Sequence, residues 1–359
     1  MSEATPPELA HVRPGEELDW EALEAELRRT IEDLATDHSR MAVLQFPNGS
    51  ANLTYLLRFG DRELVMRRPP FGVVAPGAHD MKREYRVLSR LWRVFDRAPR
   101  AFVLCSDHGV IGSDFVVMER RVGEVIRGEL PAPFAGLADV ARRASFALVD
   151  AMADLHLVDV AAAEMSDLGK PDGFAARQVA GWSTRWSLVR PDDGPRQMDE
   201  IPERLAASVP APTRVSLVHN DLKLDNCQFR AGEPDRVAAI FDWDMTTVGE
   251  PLVDLGTLLN YWPDPSDAPG ERRISHEGLL SMGLPARAEI TAHYARRTGI
   301  DVSGVAWFEA FALWKTGVVI QQLHRRWKRG ESTDPRMATI ADRLPMLAAS
   351  ASALLDRLA

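Results

Sequence analysis

Leu217-Val218-His219-Asn220-Asp221-Leu222-Lys223-Leu224-Asp225-Asn226-Cys227 decides how the rest of this chain is read. A short apolar run leads into His-x-Asp, and an Asn follows the Asp by five positions. Asp and Asn are ordinary loop residues, because both close turns and cap helices. The order in which they stand carries more weight than their presence. A carboxylate at the end of a strand can point at a hydroxyl, orient it and take its proton. An Asn one turn further on can offer an amide oxygen to a hard cation such as Mg2+. Sixteen residues after Asn226, at the end of a second apolar run, stands Asp242 in Ile240-Phe241-Asp242-Trp243-Asp244. An acid there can bridge a metal ion and phosphates. The combined spacing is that of a phosphotransferase catalytic loop.

Upstream of this stretch the texture changes twice. Leu18, Leu23, Leu27, Ile31 and Leu34 recur at helical spacing, and Asp19 is placed to cap that helix. Residues 1–15 read as a mobile tail. From about 42 to 120, short apolar runs are broken by Gly and Asp. Thr54-Tyr55-Leu56-Leu57-Arg58-Phe59 and Glu63-Leu64-Val65-Met66-Arg67 flank Gly60-Asp61-Arg62 as a β-hairpin. A helix over 79–95, with Tyr85, Leu88, Leu91 and Trp92 on one face, precedes two more strands at 101–105 and 114–118. Beyond Glu119 the chain turns helical, with candidates over 141–158 and 175–188. Pro191-Asp192-Asp193-Gly194-Pro195 reads as a loop. Short β-like runs at 215–218 and 237–241 bracket the deciding stretch, and 252–359 is mainly helix with a loop near 263–270. This predicts an α+β fold: a small β-rich N-terminal lobe with one packed helix, then a larger mainly helical lobe. The expected divisions are 1–37 (tail and helix), 38–120 (the β-rich lobe) and 121–359 (the helical lobe, which carries the deciding loop).

Composition narrows the function. Of 359 residues, 45% are hydrophobic and 26% charged, as in ordinary globular proteins. With 43 Lys and Arg against 52 Asp and Glu, the net charge is −9, unlike a general nucleic-acid binder. No apolar stretch approaches the ~20 residues that span a bilayer, so no membrane partner is expected. The first residues carry no basic and apolar leader, and Cys105 and Cys227 are the only cysteines, which fits a reducing cytoplasm.

The motifs together resemble the aminoglycoside phosphotransferase family of small-molecule kinases. The resemblance rests on His219-Asn220-Asp221 with Asn226, on Phe241-Asp242-Trp243-Asp244, and on Gly249-Glu250-Pro251-Leu252-Val253-Asp254-Leu255. Gly49-Ser50-Ala51-Asn52-Leu53-Thr54-Tyr55, Val65-Met66-Arg67-Arg68-Pro69-Pro70 and Arg83-Glu84-Tyr85 make it look like the subgroup found fused to, or working beside, acyl-CoA dehydrogenases. The resemblance runs from about 40 to about 330. It implies a protein-kinase-like bilobal fold that binds ATP and Mg2+ between its lobes, and a functional link to an acyl-CoA dehydrogenase. It implies Asp221 as catalytic base, with Asn226 and Asp242 as Mg2+ ligands. Arg67 would grip the nucleotide phosphates, anchored by Glu84 on the helix; Arg68 competes for that role, since adjacent strand residues face opposite ways. Gly49 and Ser50 would lie over the phosphates, and the Glu119 carbonyl and Arg121 N–H would meet the adenine edge. The chain departs from the family at Asn220, where Gly is usual, at Glu250, where Asp is usual, and at Val122, where an acidic residue is frequent. Asn tolerates left-handed backbone, so the loop can keep its shape. Asp254 is expected to brace the loop's N–H groups, His156 to sit in the core beneath it, and His219 to hydrogen-bond within the loop.

The acceptor side is marked only by charge. Residues 264–331 hold ten Lys and Arg against eight Asp and Glu. His324-Arg325-Arg326-Trp327-Lys328-Arg329 closes a helix predicted over 307–330. Arg325 and Arg326 are the candidate acceptor-binding cations; the competing reading is a solvated helix end whose cations complement the dipole. An anionic acceptor would be a hydroxyacyl-CoA or hydroxy acid. The rival functions are an aminoglycoside-modifying kinase and a catalytically silent nucleotide-binding module.

Overall fold

A computed structural model of the chain describes residues 8–47, 52–72, 80–267, 273–332 and 334–358. The chain forms two units. One takes the described residues up to Gly123 with Ala163–Met165 and Ala238–Thr246; the other takes Glu124–Ala162, Ser166–Val237 and the chain from Thr247 onward.

The first unit is built on a five-stranded antiparallel sheet: β1 (Met41–Gln45), β2 (Leu53–Phe59), β3 (Arg62–Arg68), β4 (Ala101–Cys105) and β5 (Phe115–Glu119), in the order β1-β2-β3-β5-β4. The β2–β3 hairpin is the one expected, with Gly60 at φ +53 in its turn and Leu57 opposite Leu64. Strand alternation puts Leu64 and Met66 on one face of the central strand β3. They join Tyr55, Leu57 and Phe59 of β2 and Leu23 and Leu27 of the helix Trp20–Thr30 in one core. Asp19 caps that helix by accepting from the Ala22 N–H at 2.9 Å. The helical spacing continues to Leu34, but the backbone breaks at Ile31 and resumes as the short turn Glu32–Ala35.

Two expectations need correction here. Residues 8–15 are not a free tail: Ala10 exchanges two backbone hydrogen bonds with Gln45, at 2.9 and 2.8 Å. The edge strand β1 would otherwise leave these groups unpaired. The helix expected over 79–95 is Met81–Leu91, started by Asp80, which accepts from the Arg83 N–H at 3.0 Å. It buries Met81, Glu84, Val87, Leu88 and Leu91, whereas Tyr85 and Trp92 are only partly covered. A buried Glu is invisible to a reading based on apolar periodicity, and it shifts the inward face.

The second unit is mainly helical, with helices at Val140–Leu157, Phe174–Val189, Gln197–Ala207, Leu252–Asn260, Arg287–Thr298, Val305–Lys328 and Leu344–Asp356. Gln197–Ala207 was not anticipated. Pro202 lies inside it and breaks its sequence pattern, yet Met198, Ile201 and Leu205 make a buried stripe. Short strands carry the motif: β6 (Ser216–Val218), β7 (Cys227–Arg230), β8 (Glu233–Ile240) and β9 (Thr247–Gly249), with β6 antiparallel to β9 and β7 paired with β8. Helix Leu252–Asn260 packs against Val305–Lys328 through Gly256. A Cβ there would come within 2.5 Å of the Phe308 carbonyl carbon, so only glycine permits the approach.

Candidate active site

The loop after β6 is held from below by one carboxylate. Asp254, fully buried near the start of helix Leu252–Asn260, accepts the N–H groups of His219 and Asn220, each at 2.6 Å. It also meets His156 Nε2 at 3.1 Å, and His156 Nδ1 lies 2.7 Å from the Tyr294 hydroxyl. Burial opposes the Asp254 charge, but His156 and the backbone N–H groups hold its pKa below the usual carboxylate value. Asn220 sits at φ +67, the left-handed conformation that Asn accepts where Gly is usual. The Asp221 N–H reaches His219 Nδ1 at 3.3 Å, so His219 serves the loop's own geometry, as expected.

On this turn the Asp221 carboxylate accepts from Lys223 Nζ at 2.7 Å and from Asn226 Nδ2 at 3.1 Å. The same Asn226 nitrogen donates to the Asp221 carbonyl at 2.8 Å. With its NH2 so engaged, Asn226 has its amide oxygen to offer a cation. Burial works against the Lys223 charge, yet Asp221 beside it carries the pKa above lysine's usual value. Lys223 also lies over the Tyr261 ring, 5.1 Å from its centre. From helix Val305–Lys328, Lys315 Nζ donates to the Asn220 carbonyl at 3.1 Å. Burial lowers its pKa, while the Asp221 and Asp254 charges oppose that shift.

A second constellation lies in the first unit. Arg67, on the central strand, is ion-paired to Glu84 and donates to Asp242 Oδ1 at 2.7 Å. Arg68 faces the other way: it stacks on the Phe71 ring at 4.0 Å and donates to the Pro69 carbonyl at 3.0 Å. The strand alternation thus puts Arg67, and not Arg68, against Glu84 and Asp242. Glu84 is wholly buried; that burial pushes its carboxyl up to about 7, with Arg67 pulling against the shift. Asp242 stands at φ +69 after β8. Its backbone is fixed by the Ile240 N–H donating to the Arg97 carbonyl at 2.9 Å and by buried Trp243, which meets Phe95 edge-on at 6.1 Å.

Other expected residues fall as follows. Glu119 ends β5; its N–H donates to the Arg100 carbonyl at 2.8 Å, and its carboxylate lies 3.1 Å from Arg121 Nε. Gly49 and Ser50 lie outside the described residues. Arg325 donates to the Leu188 carbonyl, and Arg326 stands 3.8 Å from Glu331. Ten residues beyond Lys315, Arg325 is about 15 Å further along the helix, so the structure does not bring it to the loop. Among the described residues, no group of three or more His, Cys, Asp and Glu converges to hold a metal ion. Asp242 in the first unit and Asn226 in the second each carry a hard oxygen donor of the kind Mg2+ prefers.

Sequence reasoning missed three features. Lys223 was in plain view two residues after Asp221. Lys315 is a lone cation in Phe311-Ala312-Leu313-Trp314-Lys315-Thr316-Gly317-Val318, and that isolation was the signal. A cavity of about 230 Å3 borders the loop, lined by Lys223, Asp225, Tyr261, Trp262, Ile274 and His276 among others. The His276–Asp225 contact at its rim, 2.8 Å, joins segments far apart in sequence.

Comparison with known proteins follows the same lines. Residues 42–291 match the phosphotransferase enzyme family, APH. The chain is 31% identical over 331 residues to acyl-CoA dehydrogenase family member 11 of Rattus norvegicus, covering 91% of this chain and 42% of that protein. It therefore spans about two fifths of the length of that relative. Among solved structures it is similar to a provisional aminoglycoside phosphotransferase from Ralstonia eutropha, at 28% identity and TM-score 0.76, covering 95% of this chain and 99% of that one. The GDP and kanamycin complex of APH(2")-IIIa shares the fold at 15% identity and TM-score 0.59, covering 92% and 98%.

Proposed function

The chain belongs to the phosphotransferase enzyme family, and from that premise we propose that it is an ATP- and Mg2+-dependent kinase acting on a small-molecule hydroxyl. The proposed acceptor is a hydroxyacyl thioester or a hydroxy acid. Asp221 orients the hydroxyl and takes its proton as the new O–P bond forms and the bond from the γ-phosphorus to the bridging oxygen breaks, releasing ADP. Lys223 keeps the carboxylate aimed. Arg67, anchored by Glu84, grips the nucleotide phosphates. Gly49 and Ser50 contribute backbone N–H groups to the phosphates, and the Glu119 carbonyl and Arg121 N–H meet the adenine edge. Asn226 and Asp242 would hold Mg2+, which when bound neutralises phosphate charge.

The observation that carries this reading is the Asp221 carboxylate, fixed by Lys223 and Asn226 on a loop clamped by Asp254. The acceptor class draws support from the acyl-CoA dehydrogenase relatives, which also make an acyl-CoA dehydrogenase the proposed functional partner. Cations near the loop disfavour a polycationic aminoglycoside. The test is 31P NMR of the protein with Mg·ATP and a panel of hydroxy acids, their thioesters and aminoglycosides. A new phosphate-ester resonance with a hydroxy acid or thioester is expected. Nucleotide binding with no ester from any acceptor would make this a silent binding module.

A further inference from the structure

Lys315 is the least satisfied charge near the loop. It projects from the middle of helix Val305–Lys328, among the buried residues Leu313, Trp314, Gly317 and Val318. Its ammonium can donate three hydrogen bonds, and it makes one within the protein, to the Asn220 carbonyl at 3.1 Å. Among the described residues, no carboxylate lies within ion-pair distance of it. Its flank is the Trp182 ring, 5.4 Å from Nζ to the ring centre. Arg185, one turn along the same helix as Trp182, lies over that ring at 4.7 Å and is exposed. On the other side of Asp221, Lys223 is spent on the carboxylate itself. A cation taken largely out of water with one hydrogen bond and no counterion is costly to keep. The cost is recovered when an anion binds there. The order along the helices is then Arg185, Trp182, Lys315 and the turn that carries Asp221: two cations sharing an aromatic platform, ending where the acceptor hydroxyl is presented.

We propose that Lys315, with Trp182 and Arg185, forms a subsite that reads a negative charge on the acceptor, an anionic oxygen group carried by the same molecule as the hydroxyl. This rests on the kinase reading for its purpose but not for its test. The ammonium keeps its bond to the Asn220 carbonyl and turns its remaining N–H groups to the carboxylate or phosphate oxygens. The buried Trp182 ring holds Lys315 and Arg185 in place beside it. An acceptor bearing an amine in place of the anion meets Lys315, Lys223 and Arg185 and is repelled. The acceptor's charge is thus read beside the loop by Lys315, and the basic helix end at Arg325 and Arg326 is not required for it.

The test uses four alcohols of one chain length: 6-hydroxyhexanoate, 6-hydroxyhexyl phosphate, 6-hydroxyhexanamide and 6-amino-1-hexanol. Their binding to the full chain is measured by calorimetry without nucleotide, so the result does not depend on phosphoryl transfer. At least one of the two anions should bind about tenfold or more tightly than the neutral amide, as expected for a charge-assisted hydrogen bond, and the amine least. Whichever anion binds better identifies carboxylate or phosphate as the source of the charge. Lys315→Met should erase the preference and Lys315→Arg should retain it; a lysine that only braces the loop would leave the anion-to-amide ratio unchanged in both. Arg185→Gln, at an exposed position, should reduce the preference severalfold and decides the matter if Lys315→Met does not fold. Equal binding of anion and amide by the wild-type protein, no binding of either anion, or a preference that survives in Lys315→Met would overturn the proposal. A failed phosphoryl-transfer assay beside a Lys315-dependent anion preference would instead count against the kinase reading alone.

Discussion

The turn over 219–226 and the helix end over 324–329 are both dense in charge, and they are built in opposite ways. At the turn the groups have fixed partners: Asp254 beneath it accepts two of its N–H groups, Asn226 donates to the Asp221 carbonyl, and Lys223 donates to the Asp221 carboxylate. At the helix end, Arg325 satisfies a carbonyl of the adjoining helix and Arg326 lies loosely beside Glu331, in partly exposed positions. Charge on the turn is constrained in direction, which is what chemistry at a single atom needs. Charge at the helix end complements the dipole and needs no single direction to do so. Density of charge in a sequence does not distinguish the two; the number of fixed partners does.

The comparison breaks most readily at Asp221. Asp221→Asn keeps the shape of the side chain and removes its charge and its capacity to take a proton. Turnover should fall by ~10²–10⁴-fold, with ATP affinity nearly unchanged, measured by steady-state kinetics and calorimetry. Wild-type turnover in this variant would remove Asp221 from the chemistry.

Next in size is the clamp. Asp254→Ala strips two buried N–H groups and His156 of their acceptor, so unfolding stability should drop by roughly 3–5 kcal/mol in a denaturant titration. The pH dependence has a definite sign. The folded Asp254 pKa lies below the ordinary carboxylate value, so its contribution is present above that value and is lost as pH falls through the folded pKa. Wild-type stability should therefore decline in acid more steeply than that of Asp254→Asn. Equal slopes would mean that the clamp does not depend on its charge.

Asp242→Ala comes third. Its loss should weaken Mg2+-dependent nucleotide binding by at least about tenfold, or about 1.4 kcal/mol, and lower the rate as well. Calorimetry with Mg·ATP reads the first effect. Unchanged affinity together with normal kinetics would dissociate Asp242 from the metal.

What was legible in the sequence follows the same division. The β2–β3 hairpin could be read from the residues because it rests on strand alternation and a turn glycine, whereas the Arg67–Glu84 pair was legible only through the family resemblance of its motifs, and the Asp254 brace through the motif that carries it. Lys315 and the His276–Asp225 contact could not. Their partners are 95 and 51 positions away and are set by how helices and loops pack, which no periodicity encodes. The buried face of helix Met81–Leu91 was misjudged for a related reason. Glu84 is buried by virtue of Arg67, a partner from another element. The helix with Pro202 was missed because proline ordinarily argues against the helix that tertiary packing here preserves.

The smallest effect belongs to the helix end. Replacing Arg325 and Arg326 together by Gln removes one bond to the Leu188 carbonyl and a long contact to Glu331. Loss of two cations from the last turn should cost a few tenths of a kcal/mol, up to about 1 kcal/mol at low salt, seen as a small fall in melting temperature. Acceptor KM should stay where it is, because these charges end the helix well beyond Lys315. If instead they recruit an anionic acceptor through solution, its KM should rise in the double variant at low ionic strength. That rise should fade with added salt, since exposed charges are screened over ~8–10 Å at physiological ionic strength, and ATP KM should not move. Reversal of both residues to Glu sharpens the contrast: a helix end loses somewhat more stability, whereas a recruiting patch repels the acceptor outright. Steady-state kinetics at two salt concentrations on the two double variants separates the cases. A salt-sensitive KM would return the acceptor role to Arg325 and Arg326 and make the two regions alike after all.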